Sequence, residues 1–167
     1  ITLQQPDLSN LIAEDKINDK DKSIPWRFGY DHYVNFGLAN SGKWTTLVNG
    51  DRLWRVNFIS SKALSMNLIF DEYYLPEGAK VFIYNHDHSE ILNVFTYQHN
   101  SPEEILGTWM VSGERIWIEY FEPKKVTGQG RLNIGNIIHG YRTMAMNNPD
   151  QGIEKALNTS GACNVDV

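Results

Sequence analysis

The sequence predicts an all-β domain, a β-sandwich or jelly roll, with a short N-terminal helix before it and a flexible C-terminal tail after it. Three observations lead there. Apolar and polar residues alternate with period two over several short segments, which puts one face of each in a core and the other toward water. Turn residues separate those segments at intervals of roughly 8–12 residues, the spacing of sandwiches and jelly rolls. The aromatic load is heavy, with eight Tyr, seven Phe and five Trp, and aromatic side chains favour strands.

The elements follow in chain order. Asp7 can cap a short helix in which Leu8, Leu11 and Ile12 share one face. Residues 14–22 hold four acids and three lysines, so this run is expected to be plain solvated surface leading off the helix. Pro25 ends the helical tendency, and strands begin at about Trp26. Segments 44–48 and 52–60 flank Asn49, Gly50 and Asp51, and Asn-Gly is the strongest short hairpin signal. Within the second segment Trp54, Val56 and Phe58 alternate with Arg55 and Asn57. Leu64, Met66, Leu68 and Phe70 repeat the pattern, and Pro76, Glu77 and Gly78 turn the chain into a strand over 80–84. A turn over 85–89 leads to a further strand over 91–97. Segments 108–111 and 115–121 flank Ser112, Gly113 and Glu114 as a second hairpin, and a loop bracketed by Pro123 and Gly130 precedes a strand over 132–138. After Arg142 the periodicity fades. The domain reading is therefore a helical, charged lead over 1–23, a β-domain over 24–142 and a linker-like tail over 143–167.

Composition excludes several classes of function. At 167 residues and 41% hydrophobic the chain can bury a sizeable core. Its net charge is −5 and its basic residues cluster no further than pairs such as Lys124 and Lys125, which argues against nucleic-acid binding. No run approaches the roughly 18 apolar residues of a membrane helix. The chain begins at Ile1 rather than Met, which suggests that a leader has been removed. Cys163 is the single cysteine. It reads either as an unpaired thiol of a reducing compartment or as one half of a disulfide whose partner lies beyond Val167.

Catalytic motifs are absent: there is no Gly-rich phosphate loop, HExxH, GxSxG or paired-cysteine motif. Ser112, Ser160 and Cys163 lack any local nucleophile signature, so no catalytic residue is assigned. Of the histidines, His86 and His88 around Asp87 form the one cluster with ligand-like spacing. A polar hairpin tip explains them better, and neither a metal nor another cofactor is expected. Trp26, Tyr30, Trp44, Trp54, Trp109 and Trp117 could build a sugar-stacking platform, although Trp54 and Trp117 lie in strong strand patterns that core packing explains.

Most of residues 24–142 resembles the N-terminal region of secreted bacterial lysyl endopeptidase-type precursors and related trypsin-like proteases. The matching segments are IPWRFG (24–29), SGKW (41–44), NGDRLWRVNFIS (49–60), Ala63 before SMNLIFDEYYLPEGAKVFIYN (65–85), VSGERIWIEYFEP (111–123) and IIHGYR (137–142). The last residues, SGACNVDV (160–167), are similar to the start of the mature lysyl endopeptidase. The resemblance implies that Cys163 belongs to a disulfide within the missing protease domain and that the catalytic residues lie beyond Val167. It also gives Lys155 a meaning, since a lysine-specific protease that matures itself needs a Lys shortly before its mature start. Lys155 and Ala156 stand eight residues ahead of Cys163 and are expected as the cleavage junction. Lys124 and Lys125 are rival sites whose cleavage would sever the β-domain. The expected function is thus a secreted pro-domain, monomeric and partnered with its own protease. A secreted adhesion or carbohydrate-binding module is the alternative, and an independent hydrolase a third reading.

Overall fold

The computed structural model describes residues 1–143. One helix, α1 (Leu8–Asn18), precedes nine strands: β1 (Gly29–Gly37), β2 (Lys43–Thr46), β3 (Arg52–Ile59), β4 (Ser65–Tyr74), β5 (Lys80–Asn85), β6 (Leu106–Gly107), β7 (Val111–Ser112), β8 (Arg115–Glu122) and β9 (Arg131–Gly140). They form two antiparallel sheets. One runs β1-β9-β4-β6, with β7 also paired to β4; the other runs β2-β3-β8-β5.

Period-two alternation decides which face of each strand is buried. In β3 the inward residues are Trp54, Val56 and Phe58; in β8 they are Ile116, Ile118 and Tyr120; in β5 they are Val81 and Ile83. The other sheet contributes Met66, Leu68 and Phe70 from β4, and Leu132, Ile134 and Ile137 from β9. These side chains make one continuous cluster. Phe36 of β1 meets Phe58 of β3 across it, with ring centroids 5.3 Å apart. Bulges interrupt the register of β1 against β9 after Tyr33, and of β4 against β9 around Phe70. Such extra residues bend a sheet locally, and beyond them the inward set restarts at Tyr73 in β4 and at Ile137 in β9.

The Asn49-Gly50 hairpin forms as the sequence indicates, with Trp44 opposite Trp54. The Asp51 amide donates to Asn49 Oδ1, and Gly50 adopts φ +88°. That left-handed conformation costs an L-residue about 1–2 kcal/mol. Gly50→Ala is therefore expected to destabilise the domain by about that amount, read as a lower urea midpoint at unchanged slope.

Two expected elements differ. Segment 91–97 is not a strand: it makes isolated bridges at Tyr84↔Ile91 and Val81↔Phe95 and then enters a 3-10 turn over Tyr97–His99. Between those bridges it uses four steps where β5 uses three, so the ladder cannot continue in register. Segments 108–111 and 115–121 do not form a hairpin either. Both edges of β8 are already taken, by β3 and β5, so β7 pairs with β4 instead. The turn at Ser112, Gly113 and Glu114 consequently carries the chain from one sheet to the other, with Gly113 at φ +102°.

The first residues also join the β-body. The Leu3 amide donates to the Ile59 carbonyl at 2.8 Å, the Ile59 amide donates to that of Ile1 at 2.9 Å, and Leu3 enters the core.

Candidate functional site at the exit of the β-body

Asp7 caps α1 as expected, accepting from the Ser9 amide at 3.1 Å. The helical face is different from the expected one. Leu8 and Leu11 are half-buried, while Ile12 is exposed. The next position on the Leu8–Leu11 stripe is Asp15, a carboxylate where an amphipathic helix would ordinarily place an apolar side chain. Asp15 is only 3% exposed. Most of the charged run is exposed as expected, but Asp15 is not, and α1 continues into the run as far as Asn18.

A buried carboxylate persists only if it is paired and hydrogen-bonded. Asp15 Oδ1 accepts from Arg27 Nε at 2.9 Å. Its Oδ2 accepts from the Tyr141 hydroxyl at 2.7 Å and lies 3.1 Å from Arg142 Nη1. Arg27 also reaches Glu14 and the Leu11 carbonyl, and Arg142 also pairs with Asp19. The Arg142 guanidinium stacks over Trp26 at 4.9 Å and donates to the Arg27 carbonyl. Burial, and then the hydrogen bond to Asp15, push the Tyr141 hydroxyl up to about 12, so it remains a donor throughout the physiological range. The amides of Tyr141 and Arg142 both donate to the Phe28 carbonyl at 3.1 Å. The chain leaving β9 is therefore held from two sides, by the segment entering β1 and by α1. This clasp fastens Tyr141 and Arg142 to the β-body.

The expected site residues fall in different places. Lys155, Ala156, Ser160 and Cys163 lie outside the described residues. Lys124 and Lys125 are exposed in a 3-10 turn between β8 and β9, so a cut there would separate two strands of the β-body. His86, Asp87 and His88 sit at the tip after β5. Their groups face different partners: Trp117 Nε1 donates to His86 Nδ1 at 3.3 Å, Asp87 accepts from Ser89, and His88 stacks on Tyr84 at 4.6 Å. Hydrogen bonds from Ser89 hold the Asp87 carboxyl below its usual range, and hydrogen bonds from Ser112 do the same for Glu90. Among the described residues no three His, Cys, Asp or Glu side chains gather as a metal site. Ser112 Oγ is bound to Glu90 at 2.6 Å, with no histidine in that bond.

The candidate aromatics scatter as well. Trp54 is a core residue at 1% exposure, and its Nε1 donates to the Ser41 carbonyl. Trp44 lies under the Arg52 guanidinium, and Trp26 belongs to the clasp. Trp109 stands 82% exposed in the loop between β6 and β7. Trp117 is half-buried on the outer face of its sheet, in register between Asn57 and Tyr84. Arg55, Glu119 and Phe82 form the next row of that face, where Glu119 Oε1 accepts from Arg55 at 2.7 Å and from the Tyr84 hydroxyl at 2.9 Å.

Sequence reasoning did not find the clasp. Its one available signal was an acid on an apolar helical stripe, and the partners of that acid lie 12, 126 and 127 positions away. No protein-family model matches the chain.

Proposed function

We propose that this chain is the β-sandwich pro-domain of a secreted bacterial, trypsin-like and lysine-specific serine endopeptidase. It acts by keeping the enzyme latent, by assisting its folding, or both, and it is removed by cleavage after Lys155. The observation that carries the reading is the terminal SGACNVDV, with its likeness to a mature protease start, following a β-body that ends at a fastened exit. The two sheets share one core and meet through Phe36 and Phe58, which supports the sandwich description. A jelly-roll connection is the finer form of the same proposal.

The mechanism follows from tethering. Lys155 stands twelve residues after Thr143. A chain of that length spans at most about 40 Å, so an enzyme joined to it stays at a high effective concentration beside the domain. Cutting between Lys155 and Ala156 removes the tether, and a contact sustained by millimolar effective concentration then dissociates. A domain that binds the folded enzyme also stabilises that folded state by mass action. Cys163 would pair within the protease domain, and the chain itself supplies no catalytic residue. The partner is the chain's own protease, the domain is monomeric, and no cofactor takes part.

The reading frame after Val167 tests the assignment. It is expected to encode further cysteines and the His, Asp and Ser motifs of a trypsin-like domain. A frame that stops at Val167 or encodes something else would overturn the assignment. A carbohydrate-binding or adhesion module is the second reading, favoured by the outer-face row of Asn57, Trp117 and Tyr84, where aromatic rings stand beside an amide. Quenching of Trp fluorescence by sugars in the full chain, lost in Trp117→Ala, would support that reading over the first.

A further inference from the structure

We propose that His32 and His139 form an acid-sensitive latch between the two sheets, one that holds only while both imidazoles are neutral. The proposal stands independently of the pro-domain reading.

The pair lies on the core side of its sheet. Tyr30 pairs with His139 and His32 with Ile137, so the two histidines are diagonal neighbours across β1 and β9. Their ring centroids are 6.3 Å apart. His139 is 0% exposed, and its Nδ1 shares a 2.7 Å hydrogen bond with Ser60 Oγ, just beyond the end of β3 in the opposite sheet. That bond ties the two sheets together at one corner. The Nε2 atoms of both His139 and His32 are buried without a hydrogen-bond partner among the described residues.

A neutral imidazole can leave one nitrogen as an idle acceptor at modest cost. An imidazolium presents an N–H donor at both nitrogens and adds a full charge. Here the second donor, at the buried Nε2, would find no acceptor among the described residues and would stand beside another imidazole. The groups facing the pair do little to change this. β1 offers the edge of Tyr30, 5.0 Å from His32, together with the charge of Asp31; β4 offers Met66 opposite His139; the chain after β3 offers Ser60; the turn before β8 offers Glu114. Asp31 and Glu114 oppose the effect of burial without overcoming it. Burial is the main cause that lowers both imidazoles below their ordinary 6.5, and the proximity of His32 lowers His139 further.

Below about pH 6.5 the unfolded chain binds protons that the folded chain refuses, so stability falls as pH falls. An imidazole that stays neutral in the fold can raise the unfolding constant by at most about tenfold at about pH 5.5, and the pair by at most about a hundredfold. The opening is expected to start at the corner of β1, β9 and Ser60.

Two measurements on the full chain test this. Imidazole C–H resonances followed by NMR should show His32 and His139 titrating below 6.5. Urea unfolding at about pH 7.5 and about pH 5.5 should show the large rise in unfolding constant for the wild type and most of it gone in the double variant His32→Phe, His139→Gln. Should the double variant fail to fold, the NMR titration decides alone. The latch is overturned if either histidine titrates at or above 6.5, or if the double variant keeps the full acid dependence.

Discussion

Phe58→Ala is expected to destabilise the β-body by about 3–5 kcal/mol, the usual range for removing a fully buried aromatic side chain. Phe58 is 0% exposed and meets Phe36 of the other sheet at 5.3 Å. The substitution therefore removes apolar burial and leaves a cavity at the contact between the sheets. The strands on either side are hydrogen-bonded, β3 to β8 and β1 to β9, and cannot collapse far into the space. Domains of this size have about 5–15 kcal/mol in total, so the loss takes a large share of the folding stability. Thermal unfolding checks it: the melting temperature should drop by on the order of 10–15 °C. A drop of under about 3 °C would show that the sheets are not held together by this core.

Asp15→Ala is expected to cost about 2–4 kcal/mol, below the range for a fully buried pair because Arg27 is partly exposed. The loss is more than a missing attraction. Arg27 and Arg142 both point at Asp15 Oδ atoms, so removing the carboxylate leaves two guanidinium groups facing each other, and it strips the Tyr141 hydroxyl of its acceptor. Asp15→Asn keeps the volume and an acceptor for Tyr141 but not the charge, and should fall between wild type and alanine. Hydrogen exchange gives the specific readout. The amides of α1 and those donated to the Phe28 carbonyl by Tyr141 and Arg142 should lose protection, while the amides of β3 and β8 keep theirs. Uniform loss across the whole domain would mean that the clasp is part of the global core and not a separable fastening.

Much of this architecture was legible because period-two alternation and Asn-Gly turns are local signals. Trp54, Val56 and Phe58, and again Met66, Leu68 and Phe70, lie on the buried faces that their spacing indicates, while Leu64, the first of the second set, precedes β4 and is exposed. The failures share a physical cause, which is that strand pairing is non-local. Nothing within 108–111 reveals that the edges of β8 are already filled, and nothing within 91–97 reveals the extra step opposite β5. The clasp and the His32–His139 pair were invisible for the same reason. Asp15 looks like one acid among four in a charged run, and only the return of the chain at Tyr141 and Arg142 gives it partners. His139 sits in an apolar stretch, and its partner Ser60 is 79 positions away. The exit that the clasp fastens was found only in the structure, whereas the junction at Lys155 was proposed from the sequence.

The central proposal is that this domain acts on a protease encoded after it in the same precursor, and adding the purified chain in trans to that protease after maturation tests it most directly. At micromolar concentration the chain is expected to slow hydrolysis of lysyl peptide substrates, to raise the yield of active enzyme on refolding, or both. Hydrolysis and refolding that are both unchanged would contradict it.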